Sequence, residues 1–123
     1  MSKKLIFFVA ADPTLDPGPL VAAYHFASVA VKANLKAEVR LAAQAVRAAD
    51  LDASDPDADV HLLLKKGPAQ GVFLSVCPRA MEQFGVTPEQ ARAIGARPRS
   101  LTDILTEVAE GSSVLIPITH RMA

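Results

Sequence analysis

The chain has 123 residues, of which 50% are hydrophobic and 5% aromatic, and its 13 basic and 13 acidic side chains give a formal net charge of +0. This length and composition predict a single domain over residues 1–123, with a core of aliphatic side chains. The balanced charge disfavours nucleic acid and anionic lipid as direct partners, and no apolar run approaches the roughly 20 residues of a membrane span.

The first predicted element is a strand over residues 4–11, whose continuous apolar pattern is typical of a central parallel strand. Together with the basic residues before it, this run also imitates a signal peptide, but its apolar part is at the lower length limit, so we favour the strand. Residues 12–18 are rich in turn formers, and apolar groups at helical spacing predict a helix over residues 20–35. Asp12 and Asp16 could act as acid and base, but an aspartate before proline is also a common turn residue.

A second strand is expected over residues 37–43, where Val39 and Leu41 occupy alternate positions. After an acidic stretch, an N-cap at Asp55 and a basic end before Gly67 predict a short helix. Residues 60–64 could instead form a strand, but the capping signals argue against it.

The only cysteine, Cys77, ends the apolar run 71–77, which has the pattern of a buried strand, and Pro78 suits the first turn of a following helix. A helix N-terminus favours thiolate over thiol, and Arg79 could add positive charge or point into water. Alternatively, Cys77 is a small buried hydrophobe. A single unpaired cysteine fits a reducing compartment, so we expect a cytoplasmic protein.

The remaining chain predicts two helices and a strand. A capping box at Thr87 opens a helix that ends at Gly95, and Ser100 opens another that ends near Gly111. This last helix is expected to bury one apolar stripe, made of Leu101, Ile104, Leu105 and Val108. Residues 113–118 have the pattern of a final strand.

Strands that alternate with helices at this spacing imply parallel pairing with right-handed crossovers. We therefore expect an α/β fold, a three-layer sandwich with a mainly parallel five-stranded sheet, flavodoxin-like. Sites in such sheets lie beyond the carboxyl ends of the strands. Cys77 lies at such an end, and so do two candidate ligand loops, residues 12–18 with Asp12 and Asp16 and residues 44–50 with Gln44.

Other common sites are not supported. The first loop lacks both glycine-rich phosphate-binding patterns, so we expect no nucleotide cofactor. His25, His61 and His120 lack metal-type spacing, so no metal site is expected. His120 follows the last strand, where it could serve as a base beside Cys77 or belong to a frayed tail.

Several segments together resemble the DsrE/DsrF-like family of small sulfur-relay proteins, to which the TusD subunit of a tRNA-thiolation relay belongs. The resemblance covers nearly the whole chain and is carried by Lys3-Lys-Leu-Ile-Phe-Phe-Val, the alanine-rich first helix, residues 37–46, Gly71-Val-Phe-Leu-Ser-Val-Cys77 and Phe84-Gly-Val86. It implies that Cys77 carries sulfur as a persulfide between donor and acceptor proteins. It also implies an oligomer, either a mixed hetero-oligomer or the homo-oligomer that we favour, a trimer or hexamer, and near-zero net charge permits self-association.

Three hypotheses follow for Cys77. In the first, it carries sulfur in a sulfurtransferase-like relay, with Pro78, Arg79 and His120 in support. In the second, the chain is an oligomeric scaffold or small-ligand-binding subunit whose cysteine is not catalytic. In the third, Cys77 senses oxidants as a sulfenic acid, and a partner supplies the resolving cysteine.

Overall fold

The computed structural model describes residues 3–49, 63–64 and 66–119. In these ranges the strands are β1 (Lys4–Val9), β2 (Lys36–Leu41), β3 (Phe73–Val76), β4 (Ala96–Pro98) and β5 (Ser113–Ile118). The complete α-helices are α1 (Gly18–Lys32), α2 (Pro78–Phe84), α3 (Pro88–Ala93) and α4 (Leu101–Ala109), and 3₁₀ helices cover Ala43–Arg47 and Pro68–Gln70.

All five strands are parallel and lie in the order β4-β3-β2-β1-β5. The expected α/β class and five-stranded sheet are therefore confirmed. Strands β1 to β4 follow one another in one direction across the sheet, and the chain then crosses back to place β5 beside β1. This order differs from the 2-1-3-4-5 order of flavodoxin.

Four of the strands lie where the sequence predicts them, with ends that differ by a few residues, but the sequence analysis did not locate β4. This strand has three residues and contains Pro98, which is tolerated because β4 is an edge strand. Most of the helix predicted from Asp55 lies outside the described residues. Leu63 and Leu64, part of the alternative strand, are helical.

The apolar core lies against one face of the sheet. Alternate side chains of β1, β2 and β3 contribute to it, and α1 packs on them through Leu20, Tyr24 and Ala27. The other buried members of this cluster include Val9, Val39, Leu41, Leu74, Val76, Ala80, Met81, Ala91 and Ile94. Helices α1, α2 and α3 therefore share this core.

The opposite face of the sheet is polar, and this changes the expected packing of α4. Ile104 is fully buried, but Leu101 and Leu105 are each 49% exposed, so the prediction that both point inward is wrong. The physical reason is that α4 places Glu107 against Lys4 and Arg99. These ion pairs occupy part of the surface between α4 and the sheet, so fewer apolar side chains of the helix are buried there.

Candidate functional site at the carboxyl edge of the sheet

Cys77 lies between the end of β3 and the start of α2. Its N–H donates to the carbonyl of Leu41 at 3.1 Å, so strand pairing continues one residue beyond β3. Its carbonyl accepts from the N–H of Met81 at 3.0 Å, which begins the helix. The thiol is half-buried, and its sulfur makes no capping hydrogen bond to α2. Backbone hydrogen bonds on both sides therefore fix the position of the residue that carries the sulfur.

Charged and polar side chains occupy alternate positions of the inner strand β2 and share one face of the sheet. In the strand register Arg40 pairs with Ser75, and Glu38 pairs with Phe73. Glu38, Arg40 and Ser75 are all fully buried. Cys77 follows Ser75 by two residues, so its side chain points to this same face.

Glu38 is the centre of a buried network. Its Oε1 lies 2.9 Å from Nζ of Lys4 and also binds Nη1 of Arg99, while its Oε2 accepts from Oγ of Ser75 at 2.5 Å. Glu107 adds a second carboxylate, which accepts from Lys4 at 3.1 Å and from Arg99 at 2.5 Å. Four elements and the segment after β4 are joined by these contacts.

Both members of the Arg99–Glu107 pair have shifted pKa values. Burial alone would lower the pKa of Arg99 and raise that of Glu107. Hydrogen bonds and charge attraction outweigh burial, so the pKa of Arg99 is raised and that of Glu107 is lowered. Both groups are therefore held in their charged forms.

Arg40 lies next to this network but is bound differently. Its Nη1 donates to the carbonyl oxygen of Arg99 at 2.5 Å, whereas Nε and Nη2 have no well-oriented hydrogen-bond partner among the described residues. Burial lowers the pKa of Arg40, and attraction to Cys77 and to Glu38, together with a side-chain contact to Cys77, opposes that shift. The cation beside the sulfur is thus Arg40.

The polar side chains of the loop after β1 form hydrogen bonds within the loop. Oδ1 of Asp12 accepts from N–H and Oγ1 of Thr14, at 2.9 and 2.6 Å, and Oδ1 of Asp16 accepts from the N–H of Gly18 at 3.1 Å. These are turn contacts, as one of the two interpretations of the sequence expected. Gln44 is exposed on the 3₁₀ helix Ala43–Arg47.

Arg47 connects this loop to the helix that follows Cys77. Its Nη1 lies 3.6 Å from Oδ2 of Asp12, and its guanidinium lies 5.5 Å from the ring centroid of Phe84 at the end of α2. The segments after β1, β2 and β3 therefore meet at one edge of the sheet.

The other predicted residues have different positions. Pro78 is the first residue of α2, and Arg79 is exposed. His25 is exposed on α1, and His61 and His120 lie outside the described residues. Within the described ranges, no group of three or more histidine, cysteine or carboxylate side chains could hold a metal ion, and no helix is long and apolar enough to cross a membrane.

Two pockets lie at the opposite, amino edge of the sheet. Lys4, Lys36 and Glu107 line both of them. Lys4 and Lys36 begin β1 and β2, at the ends of these strands farthest from Cys77. Glu107 lies on α4, and Arg99, which lines one of the two pockets, follows β4. Cys77 does not line either pocket.

Glu38, Arg40, Ser75 and Arg99 are not among the site residues predicted from the sequence. A signal was present, because Lys36, Glu38 and Arg40 place charges at every second position of a strand that has neighbours on both sides. Charges on an inner strand are buried only when they are paired. Such a pattern predicts a buried polar network, but only when the strand order shows that β2 is an inner strand.

Comparisons with known proteins identify the relatives of this architecture. The model of the DsrE/DsrF-like family matches residues 3–117, and no curated protein matches the chain. Among solved structures, the conserved protein of unknown function BT1422 from Bacteroides thetaiotaomicron is similar at a TM-score of 0.71 and 19% identity, covering 94% of this chain and 95% of that one. The ychN protein from E. coli is similar at a TM-score of 0.64 and 17% identity, covering 95% and 99%. The chain belongs to the DsrE/DsrF-like family.

Proposed function

We propose that the protein is a single-domain cytoplasmic sulfur carrier that holds sulfur as a persulfide on Cys77 and passes it from a donor protein to an acceptor protein. The observation that carries this proposal is the half-buried Cys77 thiol at the carboxyl edge of a parallel sheet, beside the buried cation of Arg40. Family membership supports it. The thiolate is the nucleophilic form of cysteine.

The transfer is a sulfur exchange without net oxidation. The Cys77 thiolate attacks the terminal sulfur of a donor persulfide, the donor sulfur–sulfur bond breaks, and the donor leaves as a thiolate. The transferred sulfur keeps its proton or releases it to water. An acceptor thiolate then attacks the same terminal sulfur, and Cys77 leaves as a thiolate. Atoms and electrons balance in both steps without a cofactor.

The test is incubation with inorganic polysulfide followed by intact-mass measurement. The wild type should gain about 32 Da, the mass of one sulfur atom, and dithiothreitol should remove it. Cys77→Ser should gain nothing. A wild type that gains no sulfur, and whose Cys77 also resists alkylation, would favour the alternative of a scaffold or ligand-binding subunit with an inert cysteine.

We also propose that the protein forms a homo-oligomer, a trimer or hexamer, through the edge strand β5. Helices α1 and α4 both pack on β5. Exposed apolar side chains occur on all three elements: Phe26 and Val29 on α1, Leu101 and Leu105 on α4, and Val114 on β5 itself. A second copy suits this surface because the chain has no net charge to oppose self-association.

Sedimentation equilibrium tests this assembly. The double variant Val29→Glu and Leu105→Glu should reduce the measured mass to that of one chain, because it places charge in the apolar contact. Leu15→Glu, at an 82% exposed position in the loop after β1, is the matched control and should keep the assembly. A wild type that sediments as a monomer would exclude the proposed oligomer.

A further inference from the structure

Two donors of the buried Arg40 guanidinium have no well-oriented acceptor among the described residues, and a side-chain contact links this guanidinium to the Cys77 thiol. Arg40 is fully buried, and only its Nη1 has a hydrogen-bond partner of good geometry among the described residues. Nε and Nη2 together form one side of the guanidinium fork, which matches an anion that accepts two hydrogen bonds. Burial of unpaired donors on a charged group costs free energy, so a bound anion at Nε and Nη2 would stabilise the protein.

The surrounding charges do not supply that anion. On this sheet face three buried or half-buried cations, Lys4, Arg40 and Arg99, accompany two carboxylates, Glu38 and Glu107. Lys4, Arg99 and Ser75 bind the oxygens of these carboxylates. One positive charge is therefore not matched, and it is the one that lies beside Cys77.

An anion that is covalently attached to Cys77 can contact Nε and Nη2 of Arg40 without having to enter the protein from solvent. A persulfide extends the cysteine by one sulfur–sulfur bond of about 2 Å and is anionic at its outer sulfur. We propose that Arg40 binds the anionic terminal sulfur of a Cys77 persulfide through Nε and Nη2, and so acts as a catalytic residue of the sulfur transfer. This inference rests on the proposed function and assigns a residue to it.

The contact would act in both half-reactions. During loading, Arg40 stabilises the attacking Cys77 thiolate and then the anionic persulfide that forms. During release, it offsets the negative charge of the approaching acceptor thiolate and of the Cys77 thiolate that leaves. Removal of one fixed donor aimed at developing charge typically slows a reaction by roughly 100- to 1000-fold.

The experiment compares Arg40→Met, Arg40→Lys and the control Arg97→Met. Arg97 is an exposed cation on the same sheet face, stacked over Phe73 with its guanidinium carbon 5.2 Å from the ring centroid. Arg40→Met should fold, because it replaces a buried charge with an apolar chain of similar length. Circular dichroism and the thermal midpoint check this point.

Each variant is loaded with inorganic polysulfide, and sulfur release to a small thiol is followed by mass. We expect loading and release to slow about 100-fold in Arg40→Met, less in Arg40→Lys, and not at all in Arg97→Met. If the wild type does not load, the proposed function fails, and this inference falls with it. If the wild type loads and folded Arg40→Met loads and releases equally fast, only the role of Arg40 is overturned.

Discussion

The Nζ atom of Lys4 lies 2.9 Å from Oε1 of Glu38, and this ion pair joins two neighbouring parallel strands on a face of the sheet that α4 covers. The carboxylate is completely buried and the ammonium is half-buried. A buried ion pair adds little net stability compared with an apolar pair, but the loss of one partner is costly because the other stays buried. The network around Glu38 therefore specifies how β1, β2 and α4 fit together.

Glu38→Gln should destabilise the protein strongly. The substitution leaves Lys4 and Arg99 without the buried anion that both of them bind, and we expect the free energy of unfolding to fall by about 3 kcal/mol, measured by urea denaturation. Glu89→Gln is the control, since its pair with Arg92, at 3.4 Å, is exposed on both sides. An equal effect of the two substitutions would contradict the role given to the network.

Glu107→Gln should change how stability depends on pH. The pKa of Glu107 is lowered in the folded protein, because hydrogen bonds from Arg99 and Lys4 outweigh the effect of burial. A carboxyl group of this kind stabilises the fold above its ordinary pKa of 4.5, and the contribution disappears as the pH falls through the lowered value.

The difference between wild type and Glu107→Gln should therefore be about 1 kcal/mol at pH 7 and should shrink below about pH 4.5. Urea unfolding across this range measures it. Glu110→Gln, an exposed carboxylate after the end of the same helix, is the control. A difference that persists at low pH would show that Glu107 acts through packing and not through charge.

Thr87→Ala tests the capping box that the sequence predicts. Oγ1 of Thr87 accepts from the N–H of Gln90 at 3.1 Å, and Oε1 of Gln90 accepts from the N–H of Thr87 at 2.8 Å. Loss of the Oγ1 acceptor should lower the free energy of unfolding by about 1 kcal/mol, while the backbone N–H of residue 87 keeps its bond to Gln90. Thr106→Ala, in which the lost hydroxyl only bonds back to a helix carbonyl at 2.8 Å, should have no such cost.

Much of the architecture could be predicted from local patterns. The continuous apolar run of β1 and the capping box at Thr87 are signals contained in a few neighbouring residues, and both elements formed as predicted. The strand β4 has no such signal, because three residues around Pro98 depend on pairing with β3. The number of buried side chains on α4 was overestimated for a similar reason. Whether Leu101 and Leu105 are buried depends on which residues of the sheet face the helix, and the local sequence does not show this.

The site was predictable in position but not in composition. The end of a buried strand before Pro78 places Cys77 at the carboxyl edge from sequence alone. The cation beside it is 37 residues away along the chain, on the second strand, and only the sheet register brings Arg40 to that sulfur. Arg79 is close in sequence yet exposed. Neighbours in space that come from other strands cannot be identified before the strand order is known.

Gly67→Ala should destabilise the protein although the backbone there is helical, at φ −52° and ψ −54°. At such a position alanine normally adds stability. Here the new Cβ would lie 2.7 Å from Cε1 of Tyr24, a residue of α1 whose side chain is fully buried in the core. We expect the free energy of unfolding to fall by about 1–3 kcal/mol.

A double-mutant cycle with Tyr24→Leu separates this clash from other effects of the substitution. If the ring is the obstacle, Gly67→Ala should cost much less in the Tyr24→Leu background, because the smaller side chain removes the contact atom. The coupling free energy from urea unfolding of the four proteins measures the contact. Equal costs in both backgrounds, or a gain in stability from Gly67→Ala alone, would show that Tyr24 does not select glycine at this position.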